Sequence, residues 1–433
     1  MLSVLKKRDY RLLWIGQTVS LVGDQFHLIA LPWLVLQLTG DPVTLGLVLG
    51  VAGLSRGAFM LPGGAFADRH SPRTIMLGVN VFRLLWTGAL AWSVLGGWIE
   101  MWMVYLSALV LGGATGLFEP ASSAAVPRIV DGDELEGGNA LVQMGDWFAS
   151  FIGPAAAGTL IGLLGTQTIA GEQPASLTGV GLAFAFDTAT FAVSILTLGL
   201  MAMLPAALHA EKSRPIQDIA EGMRFMWGRS AFRWMLLIVA AANFLMTGPL
   251  LVGIPVLAQE RLPEGASALG IVLSAYALGN LGGLVAAGSL KNPSGRSIGR
   301  LVVGLFALFG VGMSLFAFVE RTWIAAPVMV VMGVGNGFLG VTLITTLQRR
   351  TPPAMLGRVM SLLMLAMYAL VPASQALSGF VINLDFEALY LGVAAGMFTL
   401  CAISLSRPEI RRFGDVGMEP AESLLPEITP ATA

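Results

Sequence analysis

The sequence predicts an all-α membrane protein that crosses the bilayer many times. Apolar residues make up 55% of the 433-residue chain and charged residues only 12%, and the mean hydropathy is +0.77. These values lie far outside the range of soluble globular proteins. The 53 glycines suit helices that approach one another closely in lipid. The apolar residues are grouped in runs of at least the about 20 residues that a transmembrane helix requires.

Twelve of these apolar runs, separated by Gly, Pro and charge clusters, are predicted to be transmembrane helices. They cover residues 11–38, 43–66, 74–97, 101–123, 138–165, 178–204, 232–259, 266–290, 299–319, 323–347, 357–383 and 387–405. The first run follows a basic start but is about twice as long as the apolar part of a signal peptide. We therefore expect it to remain as the first helix.

The positive charges fall almost entirely on one side of the membrane if the twelve helices alternate in direction. Of the 25 Lys and Arg residues, only Arg261 and Arg321 fall on the other side, and Arg56 and Arg83 fall within helices. Cytoplasmic loops are the ones that carry an excess of Lys and Arg. We therefore expect both termini to be cytoplasmic, and a wrong number of helices would have scrambled this pattern.

A polar stretch after the sixth helix divides the chain into two six-helix halves. We predict an N-terminal half over residues 1–204, a cytoplasmic linker with a surface helix over 205–231, a C-terminal half over 232–405 and a disordered cytoplasmic tail over 406–433. In both halves a glycine-rich helix, a turn with basic residues and proline, and a helix with late Pro and Gly follow one another. This internal similarity indicates two parallel repeats.

Polar residues inside the predicted helices are the candidates for function, because a charge there costs roughly 2.5 to 3.5 kcal/mol to insert. The charged ones all lie in the first half: Asp24, Arg56, Arg83, Glu119, Asp146 and Asp187, with His27 beside Asp24. The second half offers neutral groups: Asn243, Tyr276, Asn280, Asn336, Tyr368 and Gln375. We predict that Asp24, Glu119 and Asp146 handle protons, and that the neutral groups line a substrate cavity.

Positions along the helices suggest how the charges pair. At about 1.5 Å per residue, Asp24 and Arg56 both fall near the middle of the membrane, and Arg83 and Glu119 fall at matching depth nearer the cytoplasm. A carboxyl group in a low-dielectric cavity keeps its proton unless an arginine compensates its charge, so displacement of that arginine by substrate would move a proton. Static ion pairs that fix helix packing are the structural alternative for both pairs.

Two other polar residues of the first half have simpler explanations. Asp187 falls near the outer surface if the sixth helix begins late, so we expect a structural role for it. We expect His27 to be a packed, hydrogen-bonded histidine, with a proton relay as the alternative.

The sequence has no pattern typical of an enzyme or of a nucleic-acid-binding protein. Three dispersed histidines and the lack of a phosphate-binding loop argue against metalloenzyme and ATPase chemistry. The net charge of −1 argues against nucleic acid as a partner, and the single cysteine, Cys401, excludes an intramolecular disulfide. We expect no metal and no cofactor. The expected partners of the monomer are a small-molecule substrate, protons and the lipid bilayer, with an ion gradient as the energy source.

The connection between the second and third helices resembles a loop of the major facilitator superfamily of secondary transporters. Its pattern is Gly64-x-x-x-Asp68-Arg69-x-x-x-Arg73, although serine and proline stand where the family has glycine and a basic residue. The resemblance implies that Asp68 and Arg69 join a cytoplasmic gate between the two halves. Helix electrostatics allows this, since Asp68 can cap the N-terminus of a helix of the opposite half while Arg128 supplies a nearby cation. A loop that only sets the topology is the alternative, which would explain the arginines but not the aspartate.

The fifth helix resembles the antiporter motif of drug-exporting members of this superfamily. It contains Gly153-Pro154-x-x-x-Gly158, with Gly145 eight residues upstream. Small residues at these intervals give a smooth face for packing against the other half, and Pro154 permits a kink. Ordinary glycine-mediated packing is the alternative explanation.

Four longer segments are similar to the branch of the superfamily that holds macrolide-efflux proteins and the enterobactin exporter. They read SLVGDQFHLIALPWLVLQLTG, PGGAFADR, FEPASSAAVPRIV and QRRTPPAMLGRVMSL. The resemblance implies the twelve-helix major facilitator fold, a place in the bacterial inner membrane and proton-coupled efflux of amphipathic or hydrophobic small molecules, such as macrolide-like drugs or siderophores. A lipid or lysolipid translocator and, from another class, a membrane scaffold or sensor remain open as alternatives.

Overall fold

The computed structural model describes residues 2–130, 132–165, 177–203, 221, 223–289 and 295–411. Most of the predicted linker over 205–231 and most of the predicted tail over 406–433 lie outside these residues. Residues 223–227, at the end of the predicted linker, are helical.

In this part of the chain, twelve helices are long and apolar enough to cross a membrane, which confirms the predicted number and the all-α class. In chain order they are α1 (Arg8–Thr39), α2 (Pro42–Arg69), α3 (Pro72–Leu95), α4 (Met101–Ala125), α5 (Leu135–Leu164), α6 (Thr178–Leu200), α7 (Ser230–Gly248, continued by the π-helical Pro249–Gly253 and by Ile254–Glu260), α8 (Ala266–Ser289), α9 (Gly295–Phe316), α10 (Thr322–Arg350), α11 (Pro353–Tyr368 and Val371–Leu384) and α12 (Phe386–Ser406). A short helix, α13 (Pro408–Arg411), follows. The predicted bounds lie within four residues of the observed helix ends, and the interruptions of α7 and α11 were not predicted.

The connections between successive helices alternate between the two sides of the bundle. We call the side that carries the α2–α3 connection, at residues 70–71, the basic side. We call the side that carries the α1–α2 connection, at residues 40–41, the far side.

The outside of the bundle is covered by large apolar side chains. Trp92, Leu163 and Trp323 are each more than 70% exposed, at 73%, 78% and 74%. Lipid tails can cover such side chains, whereas leaving them exposed to water would cost a large free energy. Trp323, Trp98 and Trp102 lie at far-side helix ends, where tryptophan is enriched at the membrane–water interface.

The helices pack as two groups of six, α1–α6 and α7–α12. Within the first group the main neighbours are α1 with α5 and α6, α2 with α4, and α3 with α6; within the second they are α8 with α10 and α9 with α12. The two groups meet mainly where α5 packs on α8 and where α2 packs on α11. Each of these helix pairs joins one helix of the first half to one of the second.

Glycines allow α5 and α8 to touch through their backbones. A Cβ atom at Gly158 would lie 2.9 Å from the backbone of Gly270, and a Cβ at Gly270 would collide with the backbone of Pro154. The hydroxyl of Ser274 on α8 also accepts a hydrogen bond from the N–H of Ala155, at 2.9 Å. Interfaces of this kind depend on small residues because lipid supplies no hydrophobic driving force for helix association.

The contact between α2 and α11 is closest on the far side. Gly379 of α11 lies against the backbone of Pro42, the first residue of α2. Further along α2 toward the basic side, no described atom lies within 4 Å of the position that a Cβ would occupy at Gly57 or at Gly64. The two halves therefore meet on the far side and diverge toward the basic side.

Asp41 caps the N-terminus of α2 on the far side. Its carboxylate accepts hydrogen bonds from the N–H groups of Val43, at 3.0 Å, and Thr44, at 2.9 Å. Burial alone would raise the pKa of Asp41, but these bonds and one from the Thr44 hydroxyl outweigh it and hold that pKa below its usual range. The charged cap also interacts favourably with the positive end of the helix dipole.

We expect Asp41→Ala to lower the free energy of unfolding in detergent by about 1 kcal/mol, because the N-cap is lost. Since the pKa of Asp41 is depressed in the folded state, its stabilisation is present above the usual carboxyl range and is lost as the pH falls through the folded-state pKa. The Tm difference between wild type and variant should therefore shrink on acidification. A difference that stays constant with pH would contradict the charged cap.

The interface between α5 and α8 can be tested with two matched glycine substitutions. Gly57→Ala places a methyl group in open space and should raise the stability by up to about 1 kcal/mol through helix propensity. Gly158→Ala forces the halves apart and should cost about 1–3 kcal/mol. Thermal unfolding in detergent measures both, and equal Tm values for the two variants would show that the close contact is unimportant.

Candidate functional site

The membrane charges of the N-terminal half pair differently from the sequence prediction. Arg56 of α2 forms an ion pair with Glu119 of α4. Nη1 of Arg83 on α3 lies 3.9 Å from Oδ1 of Asp24 on α1. The predicted pairs, Asp24 with Arg56 and Glu119 with Arg83, are therefore wrong. The estimate of depth along each helix was not sufficient, because it does not say which way a side chain faces.

Small residues on α4 explain why Arg56 meets Glu119. A Cβ atom at Gly112 or Gly116 would collide with the α2 backbone at Ala52 or Arg56. The backbones of α2 and α4 are thus in contact one turn away from Glu119. A long side chain at position 56 reaches that carboxylate directly.

Arg83 is held firmly in the interior of the N-terminal half. Only 3% of the residue is exposed, and its Nη2 donates a hydrogen bond to the Thr115 hydroxyl at 2.7 Å. Its guanidinium lies 4.9 Å from the ring centre of Phe118 and 5.6 Å from that of Phe191, distances at which an aromatic face attracts a cation. The side chain of its carboxylate neighbour, Asp24, is 43% exposed. Asp24 is therefore the accessible member of this pair.

A second pair of titratable groups lies next to the first. Asp187 lies in the middle third of α6, and its Oδ2 is 3.5 Å from Nδ1 of His27 on α1. Only 2% of the Asp187 side chain is exposed. The expected position of Asp187 near the outer surface is therefore wrong.

The three carboxylates predicted to handle protons form one electrostatic group. The charge of Glu119 repels those of Asp24 and of Asp146 on α5, whereas Arg83 attracts that of Asp24. Asp146 is half-buried and accepts a hydrogen bond from Gln143 at 3.4 Å. The structure thus brings together residues from α1, α4 and α5.

The C-terminal half encloses a cavity of about 320 Å³. Its lining comes from α7, α8, α9, α10, α11 and α13: Ala231, Met235, Ile238, Val239, Ala242, Asn243, Met246, Thr247, Leu250, Leu251, Tyr276, Val302, Phe306, Phe309, Asn336, Leu339, Gly340, Leu343, Ile344, Leu363, Met367 and Ile410. None of these described lining residues is charged. Three of the predicted cavity residues, Asn243, Tyr276 and Asn336, are among them.

The other three predicted cavity residues do not line this cavity. Asn280 is buried behind it, where it accepts a hydrogen bond from Asn336 at 2.9 Å. Gln375 belongs to the second segment of α11 and is buried against α2 at Gly46. Tyr368 ends the first segment of α11 and is 57% exposed. For Gln375 the prediction did not anticipate the interruption of α11, which separates it from the lining segment, whereas Tyr368 belongs to that segment but faces away from the cavity.

The sequence analysis also missed residues that shape this cavity but were not among the predicted polar candidates. Phe306 and Phe309 of α9 close one wall, and Ile410 of α13 closes part of the basic-side end. In α7 a π-helical turn begins at Pro249, and the hydroxyl of Ser374 on α11 accepts a hydrogen bond from the N–H of Gly248 at 2.9 Å. The pair Gly248-Pro249 was the available signal for this turn, since such turns are often found at functional sites.

The residues of the predicted gate contact their own half. Arg73 donates hydrogen bonds to two carbonyl groups at the end of α6, at 2.7 and 2.8 Å. Arg128 donates one to a carbonyl near the end of α2, at 3.3 Å. Arg69 is exposed, Gly64 borders open space, and the side chain of Asp68 is outside the description. Contact of these residues with the other half stays a prediction.

The four residues of the antiporter-like motif divide between two interfaces. Pro154 and Gly158 face α8 of the other half, as their spacing predicted. Gly145 and Gly153 instead pack against side chains of α1. The motif therefore joins α1, α5 and α8 in one layer of close packing.

Among the residues that the structure describes, no group of three or more His, Cys, Asp or Glu side chains is arranged to hold a metal ion. The arrangement provides instead a set of charged groups in one half and an uncharged, mostly apolar cavity in the other.

Comparisons with known proteins agree with these features. The family model of the Major Facilitator Superfamily matches residues 13–374. Macrolide efflux protein A of Streptococcus pyogenes is 20% identical over 82% of this chain and 85% of its own length. The enterobactin exporter EntS of Shigella boydii serotype 18 is 24% identical over 83% of this chain and 82% of its own length.

Among solved structures, a bacterial homologue of the iron transporter ferroportin in an inward-facing state has the same fold. Its TM-score is 0.71 at 18% sequence identity, and the match covers 92% of this chain and 98% of that one. The resemblance to efflux proteins is thus confirmed, and the protein is a multi-pass protein of the bacterial inner membrane. At the level of the family it is a transporter rather than an enzyme. The chain belongs to the major facilitator superfamily.

Proposed function

We propose that this protein exports amphipathic or hydrophobic small molecules in exchange for protons. The observation that carries the proposal is the different chemical character of the two halves. An accessible carboxylate, Asp24, lies beside a fixed arginine in the N-terminal half, and an uncharged cavity lies in the C-terminal half. Macrolide efflux protein A and EntS, the relatives named above, are exporters by their names.

The chemistry of the C-terminal cavity favours a ligand with an apolar body and a few hydrogen-bonding groups. Its volume of about 320 Å³ falls at the lower end of the range of small-molecule sites, about 300–1,000 Å³. The amides of Asn243 and Asn336 supply donors and acceptors. Met235, Met246 and Met367 give the wall flexible, polarisable surfaces that adapt to different shapes.

The geometry of Asp24 favours proton exchange over a static ion pair. Arg83 has a hydrogen bond to Thr115 and two aromatic neighbours, none of which involves Asp24. At 3.9 Å its contact with Asp24 is longer than a hydrogen bond. Asp24 can therefore gain or lose a proton while the arginine remains in place. Glu119 and Asp146 are the other proposed coupling carboxylates, although Glu119 is already paired with Arg56.

The proposed orientation is compatible with export. We assign the basic side to the cytoplasm, because that side carries most of the Lys and Arg residues. The halves diverge toward this side, so the structure corresponds to a state that loads substrate from the cytoplasm. In this state the ends of α2 and α11 lie apart, and Asp68 and Arg69 would meet the other half only when the cytoplasmic side closes.

Proton exchange can be tested in proteoliposomes with an internal pH dye. We expect addition of erythromycin or enterobactin to move protons with wild-type protein and with Glu100→Gln, which neutralises a carboxylate outside the cluster. Asp24→Asn should abolish the signal while leaving ligand binding intact. A signal that persists in Asp24→Asn would move the role to Glu119 or Asp146. Absence of a signal together with transfer of lysophospholipid would favour a lipid translocator.

The cavity can be tested by filling it. Gly340 lines the cavity, and no described atom lies within 4 Å of where its Cβ would be, so Gly340→Leu should place a side chain in the ligand's space. We expect the affinity for erythromycin and enterobactin to fall by about tenfold or more, since one bulky group displaces several ligand contacts. Gly304→Leu is the matched control, because Gly304 is an exposed glycine of α9 that borders open space outside the lining. Equal affinities for the two variants would place the ligand elsewhere.

A further inference from the structure

We propose that Asp187 and His27 together hold the exchanged proton, and that Asp24 is the accessible group through which that proton enters and leaves. The inference rests on the proposed proton exchange and assigns its buried site. The sequence analysis expected structural roles for Asp187 and His27. The present proposal gives both residues a direct role in proton coupling.

The carboxyl group of Asp187 is sealed in a setting that disfavours a lone negative charge. Its Oδ1 has no hydrogen-bond partner among the described residues. The nearest hydroxyl on the same helix, that of Thr190, donates to the backbone carbonyl of Asp187 instead, at 2.7 Å. The backbone of α1 covers the carboxyl group at Gly23, where a Cβ would lie 2.6 Å from Oδ1. A buried charge with an unsatisfied oxygen is costly unless a proton compensates it.

The imidazole of His27 is placed to share that proton. Its Nδ1 lies 3.5 Å from Oδ2 of Asp187, and its ring packs edge-on against Phe184, 5.2 Å between ring centres. A proton placed on either group leaves the pair neutral overall, and its removal leaves one negative charge. Because the two groups interact so closely, the proton belongs to the pair rather than to one residue.

The balance of charge in the cluster is also met by one proton on this pair. Arg83 carries one positive charge and Asp24, when ionised, one negative charge, so these two cancel. Asp187 then adds a second negative charge, which the shared proton neutralises. Without that proton the buried cluster carries a net negative charge, which low-dielectric surroundings disfavour.

The accessibility of the three side chains falls stepwise from the open space to the interior. The side chain of Asp24 is 43% exposed, that of His27 21% and that of Asp187 2%. Asp24 and His27 lie one helical turn apart on α1 and therefore share a face. Asp24 is thus the most accessible of the three side chains, His27 is intermediate and Asp187 is sealed. This order suits transfer of a proton from Asp24 to the pair and back.

The helices around α6 bring few other titratable groups to the pair. Besides Asp24 and His27, α1 presents none to it, and α3 contributes Arg83. The titratable residue within the membrane part of α5, Asp146, interacts with Glu119 of α4 rather than with Asp187. Glu119 acts on Asp24 and is itself paired with Arg56.

The proposal is tested by measuring ligand binding and proton movement in the same protein preparations. Binding of erythromycin and enterobactin is followed by calorimetry, and proton movement by the pH dye in proteoliposomes. We expect Asp187→Asn to bind ligand as wild type does but to reduce ligand-driven proton movement to the level of empty liposomes. Ser194→Ala is the matched control. Ser194 lies on α6, as Asp187 does, and its substitution removes a buried hydrogen bond donated by Asn80 of α3 but no titratable group. This variant should behave as wild type in both assays.

Each other outcome overturns a defined part of the proposal. Proton movement that survives in Asp187→Asn overturns this assignment and leaves the proposed antiport intact. Ligand binding without proton movement in wild type overturns proton coupling as a whole, and this pair with it. If Asp187→Asn does not fold, the variant His27→Gln tests the proposal instead. It should change the pH dependence of proton movement, and a profile identical to that of wild type contradicts a shared proton.

Discussion

The burial of Arg83 is the constraint on which the rest of the N-terminal half depends. A guanidinium that is 3% exposed within a membrane protein needs compensation from several helices at once, because lipid offers none. Here α4 supplies a hydroxyl and an aromatic ring, α6 supplies a second ring, and α1 supplies the carboxylate of Asp24. The positions of α1, α3, α4 and α6 are thus tied to one cation. The carboxylates proposed for coupling can change their protonation around it without moving the scaffold.

The contact between the halves is of a different kind, since backbone meets backbone through small residues on the far side. Such an interface gains its energy from close packing rather than from specific side-chain bonds. It can serve as a pivot, because the halves rock about a region with few directional contacts while their interiors stay intact. The antiporter-like motif fits this function in part: Pro154 and Gly158 belong to the pivot, whereas Gly145 and Gly153 fix α5 to α1.

Much of this architecture can be predicted from the sequence, and the predictions that were wrong have a definite physical cause. Hydropathy gives the number of helices, because each span must satisfy its own backbone in lipid. It also identifies the charged residues that lie within the helices. It does not give the rotation of each helix, and so Arg56 was assigned to Asp24 when it meets Glu119. The C-terminal cavity was only half anticipated for a related reason: its walls depend on which way Phe306 and Phe309 of α9 face. Pro372 was the local signal for the interruption of α11.

The charged residues lie in the N-terminal half and the cavity lies in the C-terminal half. This separation limits how proton movement and ligand binding can be coupled. No described residue of the cavity lining is charged, so a bound molecule there cannot displace Arg83 from Asp24 by direct contact within the lining. Proton and ligand would then be linked through the equilibrium between conformations, each binding one state better than the other. The only broad connections between the two halves are α5 with α8 and α2 with α11 among the described contacts. Coupling in this transporter would therefore be mechanical, carried by the relative position of the halves rather than by competition for a shared residue.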